Sequence, residues 1–136
     1  MPLLCASLAF VVTGCYTLSK VDFGNGIATA VKVKSSQTGQ EINVPPGEFR
    51  KLPHATGDLI VTTQTNGQFK FSGVEPPVLD DYLVKRKSIF GPGYVTLNVR
   101  LETNMQLYVV MPGEKTVDEK VQQPNGYPKI GEKIGN

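Results

Sequence analysis

Between Gly93 and Leu101 the chain alternates without a break, with Val95, Leu97, Val99 and Leu101 on one parity and Thr96, Asn98 and Arg100 on the other. A period of two puts the four apolar side chains on one face of an extended strand, whereas a helix would spread them around its circumference. Such a strand needs neighbours on both edges and an apolar layer over its inner face, so this feature alone demands a sheet packed against a second layer. The rest of the chain is built to match. It carries 14 glycines and 10 prolines in 136 residues, frequent enough to interrupt any long helix and to punctuate short strands.

Reading back from that strand, Val31 and Val33 alternate with Lys32 and Lys34 at the end of a segment starting near Ile27, the period of a half-buried strand. Ser35 to Gln40 turns the chain, and Ile42 and Val44 form a short strand stopped at Pro45-Pro46-Gly47. Phe49 and Leu52 are expected as inward anchors. Leu59 to Thr65 is rich in Thr, Ile and Val, and Asn66-Gly67 separates it from Phe69 and Phe71, the strongest hairpin signal in the sequence because both turn residues tolerate positive φ. Pro76-Pro77 and Asp80-Asp81 mark a loop, and Tyr82 to Lys87 returns as a strand. Thr103-Asn104 turns the long strand back, and Leu107 to Met111 closes the series. The expectation is an all-β fold, a single antiparallel β-sandwich of about seven strands over residues 27–111, followed by a flexible tail over 112–136.

Residues 1–14, MPLLCASLAFVVTG, form an uncharged apolar run that ends in small residues and gives way at once to polar chain. It is shorter than the roughly 20 residues needed to span a bilayer and has the length of a signal-peptide core, although no Lys or Arg precedes it. Val12-Thr13-Gly14-Cys15 resembles the lipobox of bacterial lipoproteins, a branched apolar residue and two small ones before the cysteine. The resemblance implies export, cleavage before Cys15 and lipidation of Cys15, with residues 15–26 as a tether containing the break Gly24-Asn25-Gly26. Tyr16, where Asp would favour retention, implies the outer membrane of the cell envelope over the inner.

A second resemblance covers roughly Val31 to Tyr94. Thr38-Gly39-Gln40-Glu41-Ile42, then Thr63-Gln64-Thr65-Asn66-Gly67-Gln68-Phe69-Lys70-Phe71, then Tyr82-Leu83-Val84 and Gly93-Tyr94 are similar to the transthyretin-like, carboxypeptidase-regulatory-like β-sandwich. Gln64 stands where that family usually has Asp, and Glu41 where it usually has Pro. The resemblance implies a non-catalytic accessory or adhesion-like module and transfers no active-site residue; another antiparallel sandwich or a small barrel is the alternative.

Charge narrows the partners. With 14 basic and 12 acidic residues and no long Lys/Arg run, the chain lacks the footprint of a nucleic-acid binder. His54 is the single histidine, so neither a histidine-rich metal site nor a hydrolytic triad has obvious members, and the chain is read as a non-enzyme without a cofactor or bound metal. Lys85-Arg86-Lys87 is the candidate contact with a membrane or partner, against the plainer reading of a charged edge strand. Tyr82, Tyr94 and Tyr108 are candidate ligand-stacking residues, to be found on one surface if the domain binds glycan. These readings converge on a membrane-bound module, held by its N-terminal lipid, that binds or scaffolds another envelope protein. A glycan-binding module and an accessory subunit of an envelope enzyme or transport assembly are the alternatives.

Overall fold

The computed structural model describes residues 16–53, 57–74, 83–86 and 93–135. Those residues form eleven strands and no helix: β1 (Tyr16–Asn25), β2 (Val31–Ser35), β3 (Glu41–Val44), β4 (Phe49–Pro53), β5 (Gly57–Thr63), β6 (Gln68–Val74), β7 (Leu83–Arg86), β8 (Gly93–Leu101), β9 (Gln106–Val109), β10 (Lys129–Ile130) and β11 (Glu132–Gly135). One sheet, sheet A, runs β10-β9-β8-β1-β4, with β7 beside the early half of β8; sheet B runs β11-β6-β5-β2-β3. The long alternation is β8, and its apolar parity is the core face: Val95, Leu97, Val99 and Leu101 are all buried. They meet Val31 and Val33 of β2, Leu59 and Val61 of β5 and Phe71 of β6 in one apolar cluster that draws on both sheets, a sandwich-like arrangement.

Sequence pattern and structure part at the N-terminal end. The pattern predicts a tether over residues 15–26, yet Tyr16–Asn25 is β1, lying between β4 and β8 in the middle of sheet A with Val21 and Phe23 fully buried. Its pairing with β8 is parallel, Val21 opposite Leu97 and Phe23 opposite Val99, so the architecture is mixed rather than wholly antiparallel. An irregularity between Leu18 and Lys20 breaks the period-two pattern, leaving only Lys20-Val21-Asp22-Phe23 to betray the strand. The flexible break expected at Gly24-Asn25-Gly26 is instead a fixed joint. Asn25 is fully buried; its Nδ2 donates to Thr29 O (2.8 Å) and Val44 O (2.9 Å), and its Oδ1 accepts from Ile27 N.

The strand count also exceeds the seven expected, because β4 and the two C-terminal strands carry little apolar alternation. In β4 only Leu52 is fully buried, and Phe49 stays half-exposed because the two differ in parity. The segment 112–136 is expected as a flexible tail, yet its described residues, 112–135, run along the molecule. Val121 and Tyr127 pack against the core, β10 pairs with β9, and β11 pairs with β6. The chain thus passes from an edge of sheet A to an edge of sheet B through Gly131, where a Cβ would stand 2.9 Å from the Phe71 ring. On the other side the turn at Pro45–Gly47 makes the same passage from β3 to β4. Both lateral openings of the sandwich are therefore bridged by chain.

The hairpin expected at Asn66-Gly67 is present as β5–β6, with Thr63 N donating to Gly67 O. Only Gly67 adopts positive φ (87°); Asn66 donates its N–H to Thr63 Oγ1 instead. At its other end β6 holds one extra residue, since Gly57 to Leu59 faces Val74 to Phe71. Gly73 absorbs the bulge at φ 65°, and its N–H is taken by Asp58 Oδ1 at 3.0 Å, with Lys70 Nζ 3.4 Å from the other carboxylate oxygen.

If β1 is a core strand, Phe23→Ala lowers unfolding free energy by about 3–5 kcal/mol in urea titration, the cost of emptying a buried phenyl site; a tether residue would leave the midpoint unmoved. A second expectation concerns acid. The Gly73 N–H, and after it Lys70, hold the Asp58 carboxyl below its ordinary range against the opposing effect of desolvation. A depressed carboxylate contributes stability that is complete above its unfolded pKa and is lost as pH falls through the lower folded value. Asp58→Asn should therefore flatten the acid limb of stability against pH, measured by thermal melts across the carboxylate range; an unchanged limb would dismiss the bulge contact as a contributor.

Candidate functional site

The strand directions give the sandwich two ends. β1 and β8 both start at the end marked by Tyr16 and Gly93 and finish at the end marked by Asn25 and Leu101. The second end carries the β8–β9 turn, the β5–β6 turn and the Pro45–Gly47 turn. The two hairpin tips touch there, Asn66 Nδ2 approaching Met105 Sδ at 3.8 Å.

A groove of about 400 Å³ opens at this second end, between the β8–β9 turn and the segment that follows β9. Glu102, Thr103, Asn104 and Tyr108 form one wall; Val117, Asp118, Glu119, Val121 and Gln123 form the other. The turn wall is tightly cross-linked. Met105 N donates to Glu102 O (2.9 Å), placing Met105 in the left-handed region at φ 62°, and Asn104 Oδ1 accepts from Gln106 N (3.0 Å). Asn104 Nδ2 donates to the Tyr108 hydroxyl (2.8 Å), which in turn donates to Gln106 Oε1 (3.1 Å), so the half-buried tyrosine is held at its tip. The opposite wall hangs from Gln123, whose Oε1 accepts from Val109 N (2.8 Å) while Nε2 donates to Val109 O (3.0 Å). A side-chain amide here continues the ladder that β10 makes with Gln106 and Leu107.

Glu102, Asp118 and Glu119 contribute three carboxylates to the lining and no Lys or Arg joins them. Glu102 Oε2 is buried 3.2 Å from Arg100 Nη1, an ion pair without hydrogen-bond geometry. The groove is thus an acidic, amide-rich cleft with one aromatic wall, suited to accepting hydrogen bonds from a cationic or hydroxyl-rich surface. Among the described residues no group of three or more His, Cys, Asp and Glu is placed to hold a metal ion.

Of the residues singled out in the sequence, Tyr108 lines this groove. Tyr94 pairs in register with Thr17 and Arg86 at the first end, while Tyr108 pairs with Arg100 at the second. The six residues from Tyr94 to Arg100 span roughly 20 Å of strand, so positions 94 and 108 lie toward opposite ends of sheet A. Lys85 and Arg86 lie in β7, opposite Val95 and Tyr94. Cys15, His54, Asp80, Asp81, Tyr82 and Lys87 lie outside the described residues. Sequence reading missed Asn104, Asp118, Glu119 and Gln123, because one wall of the groove is a turn and the other a segment without periodic pattern, joined to β9 by the Gln123 side chain.

Gln123→Ala should free that segment. Removing the amide leaves Val109 N–H and C=O without their partner, a loss of about 1–3 kcal/mol, and the Val109 amide should exchange with solvent deuterium many times faster while the Leu97 amide of β8 stays protected. Equal protection in both proteins would show that the wall is held by something else.

No family model, no curated protein and no solved structure matches the chain.

Proposed function

We propose that this chain is a lipid-anchored protein of the bacterial envelope, a non-catalytic module that binds or scaffolds another envelope component. The observation carrying this reading is the junction between Cys15 and the fold. The lipobox-like Val12-Thr13-Gly14-Cys15 ends immediately before Tyr16, which already belongs to β1. Cleavage before Cys15 would leave the acylated residue directly before β1. Two or more acyl chains at ~0.8 kcal/mol per buried methylene make a lasting anchor. Tyr16 in the following position favours the outer membrane over the inner.

In this reading the first end of the sandwich sits at the bilayer and the second end, with its acidic groove, is presented to the partner. The domain acts as a transthyretin-like accessory module: its rigid hairpin tips offer a shaped surface, and its chemistry is hydrogen-bond acceptance rather than bond-making. Glu102 and Tyr108, on the turn side of the groove, are contacts offered to the partner.

The test is intact mass and detergent partitioning of the protein expressed in a bacterium, for native Cys15 and for Cys15→Ala. The native chain should begin at Cys15, carry acyl mass and enter the detergent phase, and the variant should do neither. Identical masses that retain Met1 in both would refute the anchor.

A further inference from the structure

The dipeptide Asn-Gly occurs three times, at Asn25-Gly26, Asn66-Gly67 and Asn125-Gly126. As sequence the three are equivalent. Each sets a carboxamide carbon beside a backbone nitrogen that no following side chain screens, so that the nitrogen can attack its own neighbour. Attack needs an Asn side chain free to turn, a glycine N–H open to base and a backbone free to bend into the ring. The fold treats the three pairs differently on each count.

Asn25 is fully buried, its Nδ2 donating to Thr29 O and Val44 O, and Gly26 N donates to Leu101 O at 2.8 Å. Both reacting groups are held until the two sheets come apart. Asn66 is exposed at the β5–β6 tip, with a side chain that has only the weak Met105 Sδ contact, but Gly67 is buried. There the backbone is pinned: Asn66 N donates to Thr63 Oγ1, and Gly67 O accepts from Thr63 N and Oγ1, both at 2.9 Å. Asn125 and Gly126 are both exposed, and among the described residues no hydrogen bond holds the Asn125 side chain or the Gly126 N–H. Their turn is closed by Tyr127 N donating to Pro124 O at 3.0 Å, with Gly126 at φ 89° as in a type II turn.

We propose that Asn125 is a site of spontaneous covalent modification, converting to aspartate and isoaspartate in the folded protein, while the fold slows Asn66 and protects Asn25. The Gly126 nitrogen, deprotonated by hydroxide, attacks Asn125 Cγ; a C–N bond forms, and Nδ2 leaves as ammonia with a proton from water. Water then adds to the resulting succinimide at either carbonyl. Opening at Cγ restores the chain with aspartate at position 125. Opening at the α-carbonyl leaves isoaspartate, with the backbone running through the former side chain. The net reaction consumes water and releases ammonia, with no oxidation or reduction.

This turn lies between Gln123, which pins one wall of the acidic groove to Val109, and Lys129, the first residue of β10. Isoaspartate inserts a methylene into the backbone of the turn and adds a negative charge. The Tyr127–Pro124 hydrogen bond is then lost, and the two attachments on either side no longer keep their spacing. The groove wall therefore ages with the turn, whether or not the chain is acylated.

The three pairs fall on separate tryptic peptides, residues 21–32, 52–70 and 121–129, each with a single Asn. The full-length purified protein is held at mildly alkaline pH, in buffer and in unfolding guanidinium chloride, and sampled over days. Peptides are mapped by mass spectrometry with fragmentation that separates aspartate from isoaspartate. In denaturant the three sites should convert at similar rates. In buffer Asn125 should stay close to its denatured rate, Asn66 should be about tenfold or more slower, and Asn25, which needs global unfolding, about a thousandfold or more slower. Peptide 121–129 converting in denaturant but staying intact in buffer overturns the proposal. Conversion in buffer that is equal at all three sites, or faster at 66 or 25, overturns it as well. The Val109 amide should lose protection from hydrogen exchange as position 125 converts, and should keep it in Asn125→Gln, whose longer side chain closes the ring far more slowly. Val109 protection that is indifferent to conversion overturns the coupling to the groove and leaves the modification site standing.

Discussion

Burial of β1 between β4 and β8 is the constraint on which the rest of the molecule depends. A strand in the middle of a sheet has its backbone donors and acceptors paired on both edges, and here one edge is antiparallel and the other parallel. Val21 and Phe23 then supply apolar area to the centre of the core, and Asn25 finishes the strand with a side chain that bonds three backbone groups outside sheet A. A buried amide of this kind stabilises only when its bonds are made, and making them fixes the approach of β3, in sheet B, to the end of β1. The Pro45–Gly47 turn is held by the same residue, since Gly47 N donates to Asn25 O and Asn25 N donates to Glu48 O. One strand and its last residue thus set the relation of the two layers.

Closure of the sandwich depends on two passages of chain between the layers. An open two-sheet structure exposes four edges, each a row of unpaired backbone groups inviting association. Here β3–β4 bridges one side and β10–β11 the other. The second passage requires the chain to pass hard against Phe69 and Phe71, which Gly131 permits because it has no side chain to place there. The surface ion pairs, by contrast, are half-exposed and contribute little; Arg50–Glu48 and Lys32–Glu41 join residues that other contacts already position.

What could be read in the sequence was the part in which side-chain period and backbone period coincide. Val95 to Leu101, Val31 with Val33, and Leu59 with Val61 announce their strands because solvent faces one side and core the other. Asn66-Gly67 announces its hairpin because few residues adopt the left-handed turn conformation cheaply. β1 was hidden because an irregularity interrupts its alternation and because its terminal Gly-Asn-Gly looks like a linker, although Asn25 is the most extensively bonded side chain of the joint. β10 and β11 were hidden because an edge strand of two or four residues buries too little to need an apolar pattern. The groove was illegible for a related reason. It arises from tertiary return of an irregular segment, and the residue that pins it, Gln123, is chemically indistinguishable in sequence from any exposed glutamine.

The parallel pairing of β1 with β8 also dictates a timetable. Among the described residues, the first strand has one of its two partners more than 70 residues downstream, and the last closes on β6 only when residues 132–135 are in place. Contacts so distant in sequence pay loop-closure entropy before they return any stabilisation, which places folding in the slow, millisecond-to-second regime of high contact order. A nascent chain therefore cannot lock its core piecemeal. β1 and β11 are both captured late, when the strands that pair with them are in place.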